Sequence, residues 1–134
     1  MNETASSNNE HLIPELDRDF LKEKAYDFTI IPENGALLLV IRAFSFPVAY
    51  TPTTANLLIV IPAGYPNAQL DMFWTQPDVK LASGAFPAAA NNYGNYAGQK
   101  WQRWSRHSQV PWRPGIDNLR TFFAALKKEL EKGI

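Results

Sequence analysis

The sequence contains no cysteine, which excludes a disulfide framework, a thiolate metal site and a thiol nucleophile. Its two histidines, His11 and His107, stand far apart at no metal-ligand spacing, so neither a metal nor any other cofactor is expected. Neither sign of charge is in excess, with 13 basic against 13 acidic residues. That balance argues against nonspecific nucleic-acid binding, which depends on neutralising phosphates. No apolar run is long enough to span a bilayer, and residues 1–10 lack the basic start and apolar middle of a secretory signal. A cytoplasmic protein without membrane contact is the expectation.

What is present suffices for one core. The chain has 134 residues, 46% of them hydrophobic, which supports a single packed domain over residues 11–134 behind a disordered tail at 1–10, rich in Asn, Ser, Glu and Thr. Helical spacing of Ile13, Leu16, Phe20 and Leu21, with Pro14 suited to a first turn, predicts a short helix ending near Tyr26. Phe28 to Ile31 reads as a strand, and Pro32-Glu33-Asn34-Gly35 as a turn. Ala36 to Phe44 is apolar enough to be covered on both faces; Leu57 to Ile61 and Met72-Phe73-Trp74 follow as further strands.

From Gln76 to Gln99 regular patterning is lost, and an unstructured stretch of that length inside a domain is usually functional. An aromatic and cationic block follows, from Trp101 through Trp104 and Arg106 to His107, then Trp112-Arg113-Pro114-Gly115. The chain closes with a helix carrying Leu119, Phe122, Phe123, Leu126 and Leu130 on one stripe, with Asp117 as expected N-cap and Gly133 as stop. The class predicted is α+β: an N-terminal helix, an antiparallel meander of about four strands, a long irregular segment and a C-terminal helix.

That order resembles the ubiquitin-conjugating enzymes. The apolar strand Leu57 to Ile61 running into Pro62-Ala63-Gly64-Tyr65-Pro66 looks like the family's strand and Tyr-Pro turn. Asp71-Met72-Phe73-Trp74, the Trp101 to His107 block and the Trp112 to Asp117 segment are similar to a bacterial branch of the superfamily, prokaryotic family E, over roughly residues 28–130. The resemblance implies a UBC-like fold and two protein partners, a ubiquitin-like protein and an activating-enzyme-like adenylating protein. The chain departs from the wider family in lacking both the catalytic cysteine and the His-Pro-Asn motif that precedes it.

Ser105 stands seven residues before Trp112, close to the spacing at which the family carries its thiol. The resemblance therefore implies an oxyester on Ser105 in place of a thioester. A thiol with a pKa of about 8.5 is partly ionised near neutrality, whereas a serine hydroxyl needs a base within reach. His107 is the only nearby candidate. If residues 103–108 are extended, Arg103, Ser105 and His107 point to one side, Arg103 as an oxyanion support, and Arg106 points away. Asn91, Asn92 or Asn95 are candidates to replace the family's asparagine. Trp101, Trp104, Arg106, Trp112 and Arg113 are the candidate binding residues, with core packing and stacking of arginine on indole as the competing assignment. Two other functions stay open: a catalytically silent scaffold for the same partners, and a single-strand nucleic-acid binder using the Trp/Arg block as a stacking platform.

Overall fold

Near-continuous apolar strands seek cover on both faces, and the architecture is built around two of them. The computed structural model describes residues 8–107 and 110–134. Most of the expected tail therefore lies outside the described residues. Its last residues are placed: the Asn8 carbonyl accepts from the Ile30 amide at 2.8 Å, and a single 3-10 turn follows at Glu10–Leu12.

Helix α1 (Glu15–Glu23) starts directly after Pro14 and buries Phe20 and Leu21, while Leu16 stays 69% exposed, off the stripe that spacing assigned it to. Strands β1 (Asp27–Glu33) and β2 (Ala36–Ser45) form a hairpin around Asn34-Gly35, whose φ angles of 51° and 79° are those a tight hairpin turn requires. After β2 come a short strand β3 (Tyr50–Thr51) and then β4 (Thr54–Ile61), β5 (Phe73–Gln76), β6 (Lys80–Leu81), β7 (Asn92–Tyr96) and β8 (Gln99–Trp104). Six of the strands make one sheet in the order β1-β2-β4-β5-β8-β7, with neighbouring strands antiparallel, and β3 pairs separately with β6, also antiparallel.

The meander is therefore longer than expected, because the segment from Gln76 to Gln99 is not wholly irregular. Strand β7 reads Asn-Tyr-Gly-Asn-Tyr, a composition poor in strand formers, and its partner supplies the order. Tyr96 meets the Trp74 ring edge-on with centroids 5.1 Å apart. Gly94 lies so close to that indole that a Cβ there would meet Trp74 Nε1 at 3.4 Å. The β7–β8 turn, Ala97-Gly98, has positive φ at both residues and reaches back to β1, where Glu33 Oε1 accepts from the Ala97 amide at 3.0 Å.

This curl covers the outer face of the sheet, where Leu38, Val40, Leu58, Trp74 and Trp101 form a second buried cluster. The inner face holds the main core, Leu39, Ile41, Leu57, Ile59, Phe73 and Trp104, closed by α1 and by helix α2 (Leu119–Glu131) through Leu119, Phe123, Leu126 and Leu130. Burial of both faces explains the apolar run in β2.

The N-cap of α2 is Asn118 rather than Asp117. Asn118 Oδ1 accepts from the Thr121 amide at 3.3 Å and Thr121 Oγ1 accepts from the Asn118 amide at 3.0 Å, a reciprocal cap. Asp117 is instead held by Arg113. The buried Asp17 ties three elements together, its Oδ2 accepting from the Tyr65 hydroxyl at 2.8 Å and its Oδ1 from the Leu119 amide at 3.3 Å.

Candidate active site

Strand β8 ends at Trp104, whose indole is locked in the core. It stacks on Phe73 with centroids 5.0 Å apart and donates from Nε1 to Thr75 Oγ1 at 2.9 Å. The next three residues leave the sheet and are held one by one. The Ser105 amide donates to the Ala89 carbonyl at 2.9 Å, and Arg106 Nε donates to the Ala88 carbonyl at 3.0 Å. His107 Nδ1 lies 2.8 Å and 3.0 Å from the two carboxylate oxygens of Asp71, just ahead of β5.

Between this exit segment and α2 run two adjoining clefts. The first, about 600 Å³, is bordered by Phe73, Ala88, Ala89, Ser105, Arg106 and His107, and across it by Leu126 and Glu129 of α2 and by Lys132 just after it. The second, about 460 Å³, is bordered by Leu70, Asp71, Val110, Trp112, Arg113 and Asp117. His107, Phe122, Ala125 and Lys128 border both, so His107 sits at their junction.

Most charges here are paired. Arg113 donates to Asp117 from its amide and guanidinium, and these hydrogen bonds hold the Asp117 carboxyl down at about 2. Glu129 accepts Lys132 at 2.9 Å and lies 3.8 Å from Arg106. Lys128 has no acidic partner among the described residues.

The structure thus brings Ser105, His107 and Arg106 to one cleft and Trp112 and Arg113 to the neighbouring one. Arg103 and Arg106 exchange their expected places. The strand stops at Trp104, so alternation does not carry through to residue 107, and the expectation for residue 108 lies outside the described residues. Arg103 stays on the outer face with Trp101, in register with Trp74 and Asn92, and borders neither cleft. Arg106 turns in, its guanidinium 5.0 Å from the Trp104 ring centroid. Asn91 and Asn92 are exposed and border neither cleft, because Asn92 opens an edge strand. Trp101 and Trp104 are buried packing residues, Trp101 donating to the Tyr96 carbonyl at 3.2 Å, so they offer no free ring faces for bases. Trp112 is half-buried and donates to the Pro66 carbonyl at 2.8 Å.

The sequence profile of Prokaryotic E2 family E matches residues 13–133. The chain belongs to this family. No curated protein and no solved structure matches it. Prokaryotic E2 family E membership gives the chain a conjugating-enzyme-like role, in which a ubiquitin-like protein and an activating enzyme are the general kind of partner, and its helices and antiparallel sheet form a UBC-like fold. No helix among the described residues is long and apolar enough to cross a membrane. For this member of Prokaryotic E2 family E, residues that spacing alone missed are Asp71, which stood inside the quoted Asp-Met-Phe-Trp motif without a role, and the Phe122, Ala125 and Lys128 face of α2.

Proposed function

We propose that this chain accepts the C-terminal acyl group of a ubiquitin-like protein on Ser105, as an oxyester, and passes it to an amine. The observation that supports this most is the placing of Ser105 and His107 on the border of one open cleft, with the Ser105 hydroxyl making no hydrogen bond among the described residues. A free hydroxyl can rotate toward an incoming carbonyl, and contacts between nucleophile and base often form only with substrate in place.

Ser105 Oγ attacks the acyl carbon of an ester or thioester carried by the activating-enzyme-like partner, and His107 Nε2 takes the hydroxyl proton. The leaving oxygen or sulfur departs with that proton, and the acyl group remains on Ser105. An amine then attacks the same carbonyl, the bond to Oγ breaks, and the amine's proton passes through His107 to Ser105. Arg106 and Lys128 border the same cleft and supply positive charge for the oxyanion of each step, the part that strand alternation gives to Arg103. The setting is cytoplasmic.

Reconstitution with the ubiquitin-like protein, the activating partner and ATP tests the reading. A hydroxide-labile, thiol-resistant adduct on a denaturing gel, absent in Ser105→Ala, is the expected result. Unmodified protein that still co-elutes with its partners would mean a scaffold instead. Salt-sensitive oligonucleotide binding is not expected, since the proposed stacking platform is inside the core.

A further inference from the structure

Each acidic group around the two clefts is engaged, and Asp71 alone is spent on a histidine. Both of its oxygens lie within hydrogen-bond distance of one ring nitrogen, at 2.8 Å and 3.0 Å. An ionised carboxylate only accepts, so Nδ1 must carry the hydrogen. In neutral imidazole the other nitrogen, Nε2, is then left with its lone pair.

We propose that Asp71 is a positioning residue for the Ser105 reaction: it holds His107 in the tautomer whose Nε2 can accept a proton at the junction of the clefts. The role rests on the reading of Ser105 as acyl carrier. Without the carboxylate a lone imidazole is free to swap its hydrogen between nitrogens and to turn about its side chain, and each change removes the base from the position that the attack needs. The other charged groups near His107 do not substitute for it. Lys128 on α2, Arg113 in the segment before α2 and its own neighbour Arg106 are all cations that cannot accept from Nδ1. Asp117 is held by Arg113, and Glu129 by Lys132 and Arg106.

An ordinary surface ion pair is the competing explanation, and it is separable. The side chains of His107 and Asp71 are 59% and 35% exposed, so the pair contributes little to folding and its loss should leave the melting temperature nearly unchanged. Acylation is different. Asp71→Asn preserves size but offers an amide in place of the carboxylate. It should slow single-turnover transfer to Ser105 by about 100-fold, the lower end of what a positioned base contributes, with the half-saturating concentration of donor unchanged. Asp71→Glu keeps the acceptor on a longer arm and should recover activity to within about tenfold of wild type.

The ring itself supplies an independent readout. His11 and His107 are the only histidines. Nitrogen-15 NMR of labelled histidine, assigned with His11→Gln, should therefore show the Nδ1–H tautomer for His107 in the wild type and its loss in Asp71→Asn. An Asp71→Asn protein that acylates at the wild-type rate, or that keeps the same tautomer, overturns the proposal while leaving Ser105 as carrier. If wild-type protein forms no ester at all, the Ser105 reading fails, and the ring measurement alone decides whether Asp71 sets the tautomer.

Discussion

Asp17 offers the sharpest energetic test of how the cleft's supports are joined. It is 2% exposed and accepts from the Tyr65 hydroxyl and the Leu119 amide, linking α1, the Tyr-Pro turn and the start of α2. Asp17→Ala strands both donors in the interior. Hydrogen bonds to a charged group contribute about 1.5–3 kcal/mol each, and the lost desolvation of the carboxylate offsets part of that, leaving a net loss of about 2–3 kcal/mol. For a domain of this size each kcal/mol is about 3–4 °C, so the melting temperature should fall by about 8 °C. Asp17→Asn still offers an oxygen and an amide to the two partners and should cost about 1 kcal/mol or less.

The two substitutions also separate in pH. Burial is the largest influence and raises the Asp17 carboxyl above its ordinary 3.8, against the lowering effect of its hydrogen bonds from Tyr65 and Leu119. The folded protein therefore holds this proton more tightly than the unfolded chain does. The resulting stability is fully present below 3.8 and is lost as pH rises through the raised folded-state value. Wild type minus Asp17→Asn melting temperature, followed by calorimetry, should accordingly decrease as pH rises above the ordinary 3.8. A difference that stays flat or increases, or an Asp17→Ala protein that melts with wild type, would refute this account of the buried carboxylate.

Two further predictions concern the cleft. The Asp117 carboxyl should titrate at about 2 by carbon-13 NMR, and Arg113→Gln should return it toward its ordinary 3.8, because Arg113 supplies the hydrogen bonds that depress it. Its stabilising contribution is present above 3.8 and is lost as pH falls through about 2. Ala125→Trp should fill the junction that Ala125 borders in both clefts and reduce adduct formation at least about tenfold, with an unchanged melting temperature because Ala125 is exposed; wild-type adduct yield would place the reacting tail elsewhere.

Different parts of this molecule were legible to different degrees, for physical reasons. Asn34-Gly35, the apolar runs of β2 and β4 and the stripe of α2 act through local propensity or burial, and sequence spacing exposes both. Strand β7 does not: its asparagines and glycine oppose strand formation, and its order comes from β8 and the Trp74 ring, distant in sequence. Alternation placed Arg103 beside Ser105 only on the premise of a strand continuing to residue 108. The strand ends when Trp104 is anchored on Thr75, and Arg106 takes the inner place. Ser105 and His107 were visible as near neighbours. Asp71 was not, since a contact spanning 36 residues leaves no spacing to read.

The most direct measurement is the intact mass of the protein quenched during reconstituted transfer, followed by peptide sequencing of any adduct. The account predicts a mass equal to the two proteins less one water, with the hydroxide-labile bond mapped to the Ser105 peptide. An adduct mapped to any other side chain, or one that forms equally in Ser105→Ala, would contradict it.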